Sequence, residues 1–361
     1  MTTGSEEKSA AGSRKYVEAY LGAMTEAEKQ LLLQDTEQID PSLIEGLYAL
    51  YQAGNAAHDT KRVLDTAEVI SLPDREPFLE QRKRLIRLGE EYLRQGKVAI
   101  FLVAGGQGTR LGFAGPKGCF PVSPVKHKSL FQLFAESLRA LQRRYGKPLQ
   151  WYIMTSHENN GATLAFFEQN RYFDLSPKNI HFIIQKEIPS LDLSGKLIIS
   201  PDKKIFKNPN GHGGALYAMQ DSGALKEMAC MGIDEIFYFQ VDNPLAKIAD
   251  PLFIGAHVDS KARMSTKVVR KTDPGEKVGV IGRINGKLGC IEYSELTPEQ
   301  VQERTPDGRL RFSSGNIAIH MINRSFVEKL TTSPDFHLPY HSAVKQIECM
   351  KPDGTVKKIQ G

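Results

Sequence analysis

Cysteine is scarce. The four in 361 residues, Cys119, Cys230, Cys290 and Cys349, lie far apart, and none belongs to a CxxC pair. That spacing suggests neither a disulfide framework nor a zinc ribbon, and it suits a reducing compartment. Long apolar runs are also missing. No stretch approaches the roughly 20 residues of a membrane helix, and the polar start MTTGSEEKSAAGSRK lacks an apolar signal core. The expectation is a cytoplasmic protein with no membrane partner. Charge of one sign is in short supply too. Lys and Arg number 47 against 42 Asp and Glu, a net +5 without a basic arm. This argues against nucleic acid as a partner and suits small anionic substrates. The rest of the composition, 40% hydrophobic and 25% charged, provides for a sizeable core in one large domain or two to three smaller ones.

Residues 1–14 are small and polar and read as a disordered tail. From Tyr16 to Tyr51 the leucines recur at helical spacing, with a break at Asp40-Pro41, where Asp can cap and Pro can open the next helix. A further helix is expected over residues 77–95, so that 15–96 forms a helical region without evident chemistry. The pattern changes at Lys97. Val98–Ala104 is a continuous apolar run, as in a strand buried on both faces. Beyond it strand and helix alternate, giving an α/β layer with a largely parallel sheet. GGALYAMQDSGALKEMACMG reads as one helix. VGVIGRINGKLGCIEYSEL reads as a hairpin turning at Asn285-Gly286.

Between the first strand and the next helix lies AGGQGTRLGFAGPKG, residues 104–118. Missing side chains let backbone N–H groups approach an anion, and this loop falls where open α/β sheets bind ligands. A structural tight turn is the plainer alternative. Arg110 and Lys117 favour the anion, since one guanidinium and one ammonium suit a polyphosphate. The loop is not GxxxxGK[ST], and Leu111 stands where GxGxxG needs its third glycine. A P-loop is therefore excluded and a dinucleotide-type oxidoreductase is disfavoured.

This loop resembles the signature of the UTP-dependent sugar-1-phosphate uridylyltransferases, closest to the UDP-N-acetylhexosamine pyrophosphorylase branch. The UDP-glucose branch has Asn and Leu where this chain has Ala104 and Gln107. WYIMTS, FIIQKEIPSLD, NPNGHGGALY, VDNPLAKIADPLFIG, VGVIGRINGKLGCIEYSEL and SSGNIAIH match in order, so the similarity spans residues 97–330. The resemblance implies a Rossmann-like, GT-A-like nucleotide-diphospho-sugar transferase fold. It has a mixed, mostly parallel sheet with flanking helices, preceded by the helical region. The partners implied are UTP and a sugar 1-phosphate, with Mg²⁺ as cofactor. Residues 97–330 would form the catalytic domain. Residues 331–361 would begin a C-terminal segment that continues further in the family and bears another phosphate-binding Lys, so the chain is expected to be truncated there.

The resemblance also implies roles. Val103, Ala104, Gly105, Gly106, Gly108 and Thr109 would hold uracil and triphosphate. Arg110 would neutralise the departing pyrophosphate, and Lys117 would contact oxygens near the α-phosphorus. Gln185, Pro209 and Gly211 would meet uracil, the Gln amide offering both donor and acceptor. Asp242, ending the apolar strand IFYFQVD, would hold Mg²⁺, which shares few carboxylates with phosphate oxygens; its plain alternative is a helix cap. His212, Asn243, Gly279, Glu292 and Asn316 would face the sugar. The acetylhexosamine branch more often has Asn at His212, which leaves UDP-glucose synthesis as the second reading. A nucleotide-sugar binder without turnover is the third. His337 and His341 have metal-like spacing, but Pro339 between them would disrupt a helix, so no metal site is expected there.

Overall fold

A computed structural model describes residues 15–56, 62–211, 213–333 and 344–361. The strands are β1 (Leu64–Thr66), β2 (Val98–Val103), β3 (Trp151–Thr155), β4 (Ile180–Ile184), β5 (Glu187–Pro189), β6 (Lys207–Pro209), β7 (Glu235–Gln240), β8 (Met264–Arg270), β9 (Val280–Ile284), β10 (Lys287–Ile291), β11 (Ser314–Asn323), β12 (Gln346–Met350) and β13 (Val356–Gln360). Contacts divide the chain into two compact units that are not continuous in sequence. Of the described residues, the smaller unit takes 15–56, 186–211 and 344–361, and the larger takes 62–185 and 213–333. The stretch 15–96 is thus shared between them, and it contributes one strand as well as helices.

The larger unit is built on a nine-stranded sheet in the order β1-β9-β11-β7-β2-β3-β4, with β10 paired to β9 and β8 to β11. Its centre, β7-β2-β3-β4, is parallel, and the flank from β11 to β1 is antiparallel. The unbroken apolar run of β2 has a simple cause. Val98, Ile100 and Leu102 pack on one face with Phe134, Trp151, Phe167 and Phe239. Ala99 and Phe101 pack on the other with Tyr152, Met154, Met219 and Met228. Each large side chain buried this way contributes about 2 kcal/mol.

Helix Leu130–Tyr145 starts at the expected place, with Ser129 Oγ accepting from Gln132 N at 3.1 Å, and it stops at Gly146, whose φ is +70°. The run 213–232 differs from the expectation of one helix. Gly223 adopts φ +78° and splits it into Gly214–Asp221 and Ala224–Cys230. Helices Leu79–Gln95 and Pro251–Asp259 cross almost backbone to backbone. A Cβ on Gly89 would lie 1.9 Å from the Pro251 carbonyl oxygen, and one on Gly255 would lie 1.9 Å from that of Leu85. The hairpin turn forms at Asn285-Gly286, φ +50° and +79°, as expected. Asn285 does more than turn: its Oδ1 accepts from Val63 N at 3.0 Å, and its own N–H donates to Val63 O at 2.8 Å, anchoring β1.

The smaller unit holds helix Glu26–Glu37, closed by a Thr25/Glu28 capping box, and helix Pro41–Ala56. Asp40 accepts from Ser42 N at 2.9 Å and so caps the latter helix, as expected. Two antiparallel pairs, β5–β6 and β12–β13, complete it. Val17, Leu32, Ile44, Leu197, Ile199 and Met350 share its core. The expected tail over 1–14, His212, and the pair His337 and His341 lie outside the described residues. Among the described residues, no helix is long and apolar enough to cross a membrane.

Candidate functional site

The carboxyl ends of β2 and β7 lie side by side, because the two strands pair in parallel from Val98↔Glu235 to Val103↔Gln240. Val241 N–H then donates to Val103 O at 3.0 Å, which brings Asp242 to the level of the glycine loop. The loop folds back on itself. Gly108 N–H donates to Gly115 O at 2.8 Å, and Lys117 N–H donates to Gly106 O at 3.0 Å. Eleven residues of sequence separation are thereby closed, and the Lys117 ammonium stands beside Gly106: a Cβ there would be 3.7 Å from Nζ. Lys117 Nζ reaches both oxygens of Asp242, at 2.8 and 2.9 Å. The cation and the carboxylate nominated from sequence are therefore each other's partner.

The loop's glycines have different reasons. Gly108 is packed: a Cβ would lie 2.8 Å from the Phe113 ring. Gly105 and Gly106 would take a Cβ at ordinary van der Waals distance, on Gly105 3.5 Å from Gln185 Oε1. Among the described residues, the N–H groups of Gly105, Gly106 and Gln107 have no backbone acceptor. Ala104 is buried, Val103 half-buried, and Thr109 and Arg110 exposed; Arg110 forms no ion pair among the described residues. Gln185 is buried just beyond β4, its N–H held by Thr155 O at 2.8 Å. Cys119 supplies no nucleophile, since burial pushes its thiol up to about 12.

Two loop features carry no motif signal. Asn159 is wholly buried. Its Nδ2 donates to Ala104 O at 2.9 Å and to Gly106 O at 3.4 Å, while its Oδ1 accepts from Ser156 N at 2.9 Å. It clamps the carbonyls of the loop start. Gln107 carries a buried Oε1 with no hydrogen-bond partner among the described residues.

On the antiparallel flank Gly279, Glu292 and Asn316 come together. Asn316 N–H donates to Gly279 O at 2.8 Å, and a Cβ on Gly279 would stand 3.5 Å from both Glu292 oxygens. An irregularity in β11 between Asn316 and Ile319 allows this. Ala318 turns to φ +51°, and its N–H is held by Asn316 Oδ1 at 2.9 Å. Asn243 follows Asp242 and accepts from Leu245 N at 3.2 Å. Pro209 and Gly211, φ +64°, belong to the smaller unit. That unit also has a groove of 1040 Å³ lined by Asp35, Lys204, Lys207 and Glu348 among others. No nominated residue lines it, and its charges are of both signs, with Lys207 paired to Asp35.

A mixed sheet with a parallel centre, whose strand β2 runs into a glycine loop with bare amides beside one lysine and one carboxylate, is the arrangement of a nucleotidyltransferase-like α/β protein. The chain belongs to the family described as UTP–glucose-1-phosphate uridylyltransferase, which it matches over residues 45–357. It is 35% identical over 347 residues to UDP-N-acetylhexosamine pyrophosphorylase-like protein 1 of Xenopus tropicalis, covering 93% of this chain and 68% of that protein. It is 39% identical over 265 residues to UDP-N-acetylglucosamine pyrophosphorylase of Saccharomyces cerevisiae, covering 72% and 56%. The crystal structure of the Trypanosoma brucei uridine diphosphate N-acetylglucosamine pyrophosphorylase superposes with a TM-score of 0.80 at 26% identity, over 96% of this chain and 72% of that one. The chain spans 56 to 69% of the length of the curated relatives it matches.

Proposed function

We propose that the chain is a uridylyltransferase that makes UDP-N-acetylglucosamine, or a related UDP-sugar, from UTP and an N-acetylhexosamine 1-phosphate. An oxygen of the sugar phosphate attacks the α-phosphorus of UTP, the bond to the β-phosphate oxygen breaks, and pyrophosphate leaves. Bringing two polyanions together is the main barrier, so charge neutralisation and alignment carry the catalysis. The observation that supports this reading most is the set of bare N–H groups at Gly105, Gly106 and Gln107 beside the Lys117–Asp242 pair. The names of the relatives point the same way.

In this reading the triphosphate lies along Gly105, Gly106, Gly108 and Thr109, and Arg110 meets the leaving pyrophosphate. Gln185 reads uracil, with Pro209 and Gly211 also assigned to it. Asn243, Gly279, Glu292, Asn316 and His212 are assigned to the sugar. No cluster of three or more His, Cys, Asp or Glu side chains that could hold a metal occurs among the described residues. Mg²⁺ takes few protein carboxylates and shares phosphate oxygens, so a single carboxylate beside the bare amides, Asp242, is the residue nominated for it. Asp242 would hold it, and when bound it supplies neutralisation of the phosphate charge. Lys117, freed from Asp242 in that case, would pair with phosphate oxygens, exchanging one anion for another.

The test is pyrophosphate release from UTP with a panel of sugar 1-phosphates, with and without Mg²⁺. The expected result is release that requires both Mg²⁺ and N-acetylglucosamine 1-phosphate. Preference for glucose 1-phosphate would move the chain to the UDP-glucose reading, and UDP-sugar binding without release would make it a binder.

A further inference from the structure

The sugar-side cluster has a fourth member that neither motif nor resemblance singles out. Cys290 lies on β10, opposite Ile281 of β9. Its Sγ accepts from Asn316 Nδ2 at 3.7 Å and donates to Glu292 Oε1 at 3.9 Å. Gly279 lies against the same sulfur, and a Cβ there would be 2.8 Å from Sγ. Three of the five residues assigned to the sugar therefore share one neighbour. Both polar residues make a further contact. Asn316 Oδ1 is held by Ala318 N, and Glu292 N–H donates to Glu295 Oε2 at 2.8 Å. Among the described residues Glu292 has no cation in ion-pair range, and the thiol is a side-chain donor within reach of its exposed carboxylate. Burial raises the Cys290 pKa, the Asn316 hydrogen bond opposes this, and the Glu292 charge adds to it. The sulfur therefore keeps its proton at neutral pH and can donate.

We propose that Cys290 is a positioning residue of the sugar subsite, its thiol holding the Glu292 carboxylate and the Asn316 amide at the separation a sugar's polar groups require. This rests on the assignment of Gly279, Glu292 and Asn316 to the sugar. The residues assigned to the nucleotide lie outside β9, β10 and β11.

The experiment compares the Kd of UDP and of UDP-N-acetylglucosamine by calorimetry for the whole chain and for Cys290→Ala, Cys290→Val and Cys290→Ser. Glu292→Gln and Asn316→Ala serve as references. UDP reports the nucleotide half, and the ratio of the two constants reports the sugar half without needing turnover. Cys290→Ala and Cys290→Val should weaken UDP-N-acetylglucosamine by roughly fivefold to tenfold, two weak contacts being lost, with UDP unchanged. Cys290→Ser should come back to within about threefold of the parent, because a hydroxyl both accepts and donates. Valine fills the sulfur's space without hydrogen bonding, so a valine variant equal to the parent would reduce Cys290 to filler and overturn the proposal. Serine no better than alanine would do the same, and serine keeps the test usable if the apolar variants do not fold. If Glu292→Gln and Asn316→Ala also leave the ratio unchanged, the sugar lies elsewhere and the underlying assignment falls too. If they lower it and no Cys290 variant does, only the role of Cys290 falls.

Discussion

Strand β7 has an acidic residue at either end, and the two have opposite fates. Glu235 opens the strand and is buried. Its Oε2 accepts from His257 Nε2 at 3.0 Å, its Oε1 accepts from Asn323 Nδ2 at 3.3 Å, and His257 Nδ1 bonds to Ser265 Oγ at 2.8 Å. Asp242, just past the other end, has a side chain 55% exposed, with Lys117 as its ion-pair partner. The amino end of the sheet is closed by groups that satisfy one another out of water. The carboxyl end keeps a pair that water, a cation or a phosphate can each enter. A buried charge must be fully paired, whereas an exposed one can trade partners. That difference separates a structural carboxylate from one available to a ligand, although both sit on one strand.

The comparison breaks most visibly at the closed end. His257→Ala leaves Glu235 buried beside Asn323 alone and should cost about 3–5 kcal/mol in urea unfolding. UTP affinity of the folded fraction should be unchanged. A loss under 1 kcal/mol would mean that the network is ornamental. At the open end the effect should be reversed. Lys117→Ala removes a charge-assisted contact to phosphate and should weaken UTP by about ten- to a hundredfold. Asp242→Asn should flatten the Mg²⁺ dependence of UTP binding. Both should cost less stability than His257→Ala, because the Asp242 side of this pair is open to water. An unaltered Mg²⁺ titration would remove Asp242 from the metal.

Asp250 is an intermediate case and sharpens the contrast with pH. It is buried, it caps helix Pro251–Asp259, and it meets Lys267 at 2.9 Å and Lys247 at 3.1 Å. Burial raises its pKa, but the two ammonium groups outweigh that and leave it lowered. The folded protein therefore prefers the carboxylate. The stability this gives is complete above the ordinary aspartate pKa of about 4 and is lost as pH falls through the lowered folded value. Asp250→Asn should cost about 1–2 kcal/mol at neutral pH. That gap should stay level down to pH ~5 and close below ~4. Urea midpoints recorded against pH check this, and a gap unchanged at pH 3 would mean that the ion pairs contribute nothing.

Much of this was readable in the chain, for local reasons. The unbroken run Val98–Val103 announces a strand covered on both sides, and both faces are covered. Gly146 and Asn285-Gly286 mark turns because positive φ is cheap for them. Gly223 was harder: a glycine within a helical pattern is tolerated as often as not, and only its φ shows that it divides the segment. Asn159 lies in no motif, because its work is done through space on carbonyls 53 and 55 residues away. Cys290 was hidden likewise, since a lone cysteine says nothing until its neighbours are known.

By itself the sequence determined what depends on short range: the periodicity of strands and helices, the turn glycines, and the string of residues 104–118 whose composition favours an anion. Tertiary structure alone decided which residues meet. It put Lys117 on Asp242 across 125 positions and gathered Gly279, Glu292 and Asn316 around one sulfur. It also assembled the smaller unit from three separated stretches of chain. The physical reason is that propensity and pattern act over a few residues, whereas pairing and burial depend on distance in space, which strand order and register set.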